Sequence, residues 1–101
     1  MTVKLVVLYT TPDDVDAFEE HYLGVHGPLV MKIPGLVRFE GARVTGAADR
    51  GEVGYHRIAE LYFEDADAMQ TALGTEEGQA TGADYQQIAP PGSRMYVATV
   101  D

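Results

Sequence analysis

Val3-Lys4-Leu5-Val6-Val7-Leu8-Tyr9 is a short β-branched run, apolar at odd and even positions alike, with Lys4 as its single charge. Such a run reads as a strand buried on both faces. A strand of that kind needs a cover on each side. Helices supply one. The other requires a second sheet, and a chain of 101 residues has none to spare. The run therefore points to a homodimer.

Thr11-Pro12-Asp13-Asp14 reads as the start of a helix, with Thr11 as its cap and Pro12 in the first helical position. The acids from Asp13 to Glu20 read as a solvated helix face that also complements the helix dipole. Val15, Phe18, Tyr22, His26 and Leu29 recur at spacings of three and four and form one stripe. Gly24 and Gly27-Pro28 interrupt it. A kink or break near His26 is predicted, because Pro28 has no N–H for the preceding turn. Ile33-Pro34-Gly35 ends the element.

Leu36 to Val44 is a second strand, and residues 45–54 are a polar, Gly-rich loop. Tyr55 to Glu64 is a third strand, with His56, Ile58, Glu60 and Tyr62 on one face and Arg57, Ala59, Leu61 and Phe63 on the other. Residues 65–73 form a short helix ended by Gly74, and Thr75 caps another that runs to about Ile88. After the stop at Ala89-Pro90-Pro91-Gly92, Arg94 to Val100 is the last strand.

The order is βαββαβ with the second helix in two pieces. This is an α+β, ferredoxin-like plan: a four-stranded antiparallel sheet with helices on one face. Val6, Leu8, Ile58 and Tyr62 fall on the other face, which is bare in a single copy. Two such sheets stacked face to face would cover it. Lys4 and Glu60 share that face and are expected to pair within the chain or across the dimer.

Composition narrows the partners. The chain is 46% hydrophobic and 23% charged, which suits one globular domain spanning 1–101. Sixteen acids against seven bases give a net charge of −9, so phosphate backbones and anionic lipid are repelled. Neither nucleic acid nor a membrane is an expected partner, and no apolar run approaches the ~18 residues that cross a bilayer. Met1-Thr2-Val3-Lys4 lacks a signal-peptide layout and cysteine is absent, so a cytoplasmic location is expected. Without cysteine there is no thiolate nucleophile and no Cys-ligated metal. Nucleotide-binding glycine motifs are missing, and Ser93 is the only serine, which argues against a Ser–His–Asp hydrolase.

His26 is the leading catalytic candidate. It lies on the apolar stripe at a helix irregularity, and a neutral imidazole is a serviceable general base. Tyr22, four residues earlier, can touch it and is the second catalytic candidate. The competing reading makes His26 a buried histidine that satisfies a backbone carbonyl at the broken turn. Tyr9 at the end of the first strand and Tyr85 on the last helix are candidates for lining an apolar ligand pocket between sheet and helices. His21 is a further ligand-binding candidate. It lies five residues before His26, ~140° around a regular helix, which is poor geometry for a shared metal, and no metal is expected. Arg57 could hold an acidic ligand, but the preferred reading pairs it with an acid such as Asp84.

His21-Tyr22-Leu23-Gly24-Val25-His26-Gly27-Pro28-Leu29, followed by Ile33-Pro34-Gly35-Leu36, resembles the H-Y-x-x-x-H-x-P-L stretch and P-G-L turn of the EthD family. Ile58-Ala59-Glu60-Leu61-Tyr62-Phe63, Glu77-Gly78-Gln79-Ala80 and Asp84 extend the likeness along nearly the whole chain. The resemblance implies a dimeric α+β barrel. It implies a role in catabolic or secondary metabolism, among proteins loosely grouped as oxidoreductases. Barrels of similar build include cofactor-free cyclases, monooxygenases and isomerases. The expected function is therefore a cofactor-independent enzyme acting on a small hydrophobic carbonyl or aromatic compound, with His26 as proton shuttle. The alternative is a non-catalytic binder of a hydrophobic ligand, serving an oxygenase system.

Overall fold

β1 (Val3–Thr10) is a central strand, antiparallel to β3 (Tyr55–Phe63) on one side and to β4 (Arg94–Thr99) on the other. β2 (Arg38–Arg43) completes the sheet on the far edge of β3, giving the order β2-β3-β1-β4. The computed structural model describes all residues from Met1 to Asp101. The ferredoxin-like plan read from the sequence is the plan observed. The first crossover holds α1 (Val15–His21), a five-residue π-turn (Tyr22–His26) and α2 (Gly27–Met31). The second holds α3 (Ala66–Gly74) and α4 (Glu76–Ile88), the two pieces expected.

Alternation along β1 and β3 sorts the side chains. Val3, Val7, Tyr9, Ala59, Leu61 and Phe63 are buried under the helices, against Phe18, Tyr22, Val30, Ile33, Met69 and Ala72. Burying each large apolar side chain contributes about 1.5–3 kcal/mol, so this face holds the helices to the sheet. The opposite face carries Val6, Leu8, Ile58 and Tyr62, all half-buried, and Tyr96, which is 46% exposed. On it Lys4 Nζ meets Glu60 Oε2 at 2.7 Å within the chain, as one of the two expected pairings.

The turns follow their residues. Gly35 has φ +86° after α2, and Gly92 has φ +89° in the turn before β4. Ser93 N–H closes that turn on Pro90 O at 3.2 Å, with Pro91 and Gly92 at its centre. Proline then glycine is the pair such a turn selects, because the second position needs a left-handed backbone.

Five local expectations are corrected. The cap of α1 is Asp14, whose Oδ1 accepts from Ala17 N–H at 3.0 Å, and not Thr11. β1 runs one residue further than expected, and Thr10 is tied by its N–H to Ser93 Oγ and by its hydroxyl to Pro91 O, so the chain turns helical only later. His56 does not stay on the open face. The β1–β3 register slips between Tyr9 and Thr10, and this bulge turns His56 toward α1. Its ring meets Phe18 edge-on at 5.6 Å. Arg57 does not pair with Asp84. It grips Glu19 through Nε at 3.0 Å and Nη2 at 2.5 Å, and His56 Nε2 reaches the same carboxylate at 3.0 Å. Glu19 thus leaves the solvated acid face assigned to it and is largely buried.

Candidate functional site

A cavity of about 240 Å³ lies between the helix-covered face of the sheet and α4. Ten of its fifteen lining residues are hydrophobic, so any occupant is mainly apolar. Leu5, Val7, Ala59 and Leu61 form the sheet side, Val30 and Ile33 the side of the first crossover, and Gly78, Thr81, Gly82 and Tyr85 the α4 side. Met95 and Gln79, both exposed, mark the opening. Small residues on α4 make the room. A Cβ at Gly82 would meet nothing within 4 Å.

Polar groups converge on one end. His26 and Tyr9 line the cavity, and Tyr9 Oη lies 3.4 Å from His26 Nε2. His26 Nδ1 lies 2.8 Å from Asp84 Oδ2. The His26 ring is therefore bound to side chains and not to backbone. Asp84 Oδ1 is 2.8 Å from His21 Nε2, so one carboxylate holds both histidines.

The helix irregularity makes this possible. On a regular α-helix positions five apart diverge by ~140°. Here the Gly27 N–H reaches back to Tyr22 O, a five-residue step that adds one residue to the turn. The extra residue swings His26 round beneath His21, and Asp84 of α4 meets both. Gly27 fits because a Cβ there would press to 3.3 Å on Tyr22 O. The sequence expectation of divergence held only for an unbroken helix.

Electrostatics fix the tautomer. Burial works against ionisation of Asp84, but hydrogen bonds from His21 and His26 outweigh it and hold the carboxyl below its ordinary value. Burial pushes the His26 imidazole below its ordinary value, against the pull of Asp84. Near neutral pH the carboxylate is ionised and accepts only, while the ring is neutral. The ring proton then sits on Nδ1, and Nε2 presents a lone pair toward Tyr9 and the cavity. Burial also raises the Tyr9 phenol far above its ordinary range, so it stays a donor.

The remaining candidates lie where they have other partners. The Tyr22 ring lies tilted beside His26 at 5.6 Å and under the Arg57 guanidinium at 4.3 Å. Its hydroxyl is buried without a hydrogen-bond partner, in a gap beside Gly41, and does not line the cavity. His21 faces Asp84 with a side chain 35% exposed and is not part of the lining either. Tyr85 does line it and packs on Tyr9 at 5.6 Å. Asp84 was read only as a partner for Arg57 and as part of the family likeness. One signal could have promoted it: it is the only acid of α4 beyond the first turn, and it adjoins Tyr85.

A profile of the EthD domain matches residues 12–90. An 11.0 kDa protein encoded in the thcB-thcC intergenic region of Rhodococcus erythropolis is 34% identical over 92 residues, covering 91% of this chain and 88% of the relative. The crystal structure of an ethyl tert-butyl ether D (EthD) family protein from Bacillus halodurans C-125 is 37% identical, covers both chains completely and superposes with a TM-score of 0.93. Two further structures share the fold at lower identity. SnoaB, a cofactor-independent oxygenase from Streptomyces nogalater, is 17% identical over 99% of this chain and 93% of its own, with a TM-score of 0.70. A dimeric ferredoxin-like protein from Jannaschia sp. CCS1 is 16% identical over 99% and 100%, with a TM-score of 0.74.

Proposed function

This chain belongs to the EthD family, and from that premise we propose that it is a cofactor-independent enzyme that removes a proton from a small, neutral, hydrophobic carbonyl or phenolic compound. The observation that carries the reading is the His26 ring: Asp84 holds Nδ1, and Nε2 turns to an apolar cavity. A base held in this way by a carboxylate is oriented, and the imidazolium it forms is stabilised by the same group. Tyr9 is the second participant. Its hydroxyl, at 3.4 Å from Nε2, makes a long bond that a substrate oxygen can displace. The phenol would then donate to the oxygen on which negative charge develops, while Nε2 takes the proton. Tyr22 takes no part in this step. It braces the His26 ring from outside the cavity.

The neutrality of the substrate follows from the lining, which contains no lysine or arginine. Arg57, the cationic residue buried on this face, is engaged by Glu19. An anionic substrate would have no counter-charge and would lie near Asp84, so it is disfavoured. Isomerisation, cyclisation and oxygenation of such compounds can each begin with the proton removal that this reading assigns to His26. The existence of an oxygenase with this fold supports the reading at the level of fold.

A homodimer completes the proposal. The open sheet face bears Val6, Leu8, Ile58, Tyr62 and Tyr96 around the Lys4–Glu60 pair, a surface suited to a second copy, and a protein of the same fold is dimeric.

Deuterium uptake from D2O into a panel of small neutral ketones and phenols, followed by NMR, tests the catalytic reading. Wild type should exchange at least one of them, and His26→Gln should slow that exchange by ~100-fold or more, the usual contribution of a positioned base. If the compounds bind in the cavity but neither protein accelerates exchange, the protein is a carrier of hydrophobic ligands and the enzyme reading is wrong.

A further inference from the structure

Asp84 carries one negative charge between two imidazoles, His21 Nε2 at 2.8 Å and His26 Nδ1 at 2.8 Å. Its ion-pair partners are these two residues. A single carboxylate can neutralise one imidazolium, and a second proton must enter against the first. Exposure decides which ring is charged first. The His21 side chain is 35% exposed and that of His26 is 5% exposed, and a cation costs less where water reaches it.

We propose that His21 takes the first proton offered to this cluster, and so reinforces the burial that keeps the cavity imidazole neutral with Nε2 free. His21 touches no cavity surface. It is a positioning residue that acts through Asp84, and the π-turn is what brings it there. Asp84 pulls the His26 ring toward the imidazolium, which cannot accept a proton, and burial and His21 both work against that pull. With His21 on the other oxygen, the pull of Asp84 on His26 is shared, and it is weakest when His21 is charged.

The surroundings leave Asp84 as the deciding charge. From α4 the ring of His26 faces Asp84 and shares the cavity with Tyr85; from β1 it faces Tyr9; on its own helix it meets Tyr22. Burial keeps all three phenols protonated. Arg57 over Tyr22 is balanced by Glu19. His21 faces Asp84, and Glu20 shares its surface groove.

What the neutral ring is for rests on the proposed function, but the partition of protons does not, and it is measured without substrate. The experiment is an NMR titration of the histidine ring nitrogens in the full-length protein. In His21→Gln, which can still hydrogen-bond Asp84 but cannot be charged, the His26 midpoint should rise by about one pH unit, a tenfold gain in proton affinity. In His21→Lys, which keeps a permanent cation, it should stay at or below the wild-type value. An unmoved midpoint in His21→Gln overturns the proposal, as does an equal rise in both variants. Should His21→Gln fail to fold, the wild type still decides. As the pH falls, His21 must take the first proton, and a first proton on His26 refutes the idea. A failed deuterium assay leaves these results untouched, so the two proposals fall separately.

Discussion

Glu19 is gripped by Arg57 and His56, with Arg43 Nη1 a further 3.8 Å contact, and Asp84 is held by His21 and His26. The first cluster includes an arginine, whose charge is permanent and whose planar fork matches a carboxylate. Hydrogen bonds from that guanidinium hold Glu19 below its ordinary value, and the Arg57 side chain is almost wholly buried. The second cluster contains only histidines, so its charge depends on pH, and it borders a cavity. Similar geometry thus gives a fixed internal brace in one place and a titratable site in the other. The difference lies in the partner residues, not in the carboxylates.

The largest expected effect separates the two directly. Arg57→Ala leaves Glu19 buried without its main counter-charge and should cost about 3–5 kcal/mol in urea denaturation. Asp84→Asn should cost only about 1–2 kcal/mol, because the amide can still hydrogen-bond the imidazoles and no permanent cation is left buried and unpaired. Equal losses would break the distinction.

A second effect is the pH dependence of stability. His26 is lowered from 6.5 in the folded protein, so the unfolded chain binds its proton first as the pH drops. Stability should therefore fall as pH decreases below 6.5, until the folded ring also titrates. Asp84 and Glu19 are lowered from 3.8 and 4.5, so their contributions are complete above those values and are lost as pH falls through the folded ones. Urea midpoints measured across this range should show both phases. His26→Gln should remove the upper phase and weaken the Asp84 part of the lower one, and persistence of the upper phase in that variant would assign it elsewhere.

The smallest effect on stability concerns the cavity by itself. Gly82→Leu should fill empty space and abolish uptake of small neutral ligands. Stability should hold or rise by up to ~1 kcal/mol, since leucine is the better helix former. A large loss of stability would mean that the space at Gly82 is not open.

Much of this architecture was legible from the chain. The doubly apolar β1, the alternation in β3 and the Lys4–Glu60 pair on the open face all follow from the period of two in a strand. His26 was marked by the glycines and Pro28 around it. The pairing of both histidines with one acid was not legible, because counting at 100° per residue sends His21 and His26 apart. A π-turn changes the count, and glycine and proline signal an irregularity without naming its kind. The Glu19–Arg57–His56 cluster was hidden for a related reason. One bulged residue in β3 moves His56 to the other face, and strict alternation cannot foresee it. The position of Tyr22 outside the cavity lining was not legible, because a shared helical stripe does not say where a hydroxyl ends. Its oxygen lies in the space that Gly41 leaves.

The turn from Tyr22 to His26 has a consequence for comparing sequences. Remove one residue from it and the helix would remain, its hydrogen bonds in the ordinary pattern save at Pro28, which has no N–H, but a different side chain would be offered to α4. What must be inherited there is a distance along the chain. An alignment that slides a gap through this segment to gain matching letters would pair residues that face opposite ways.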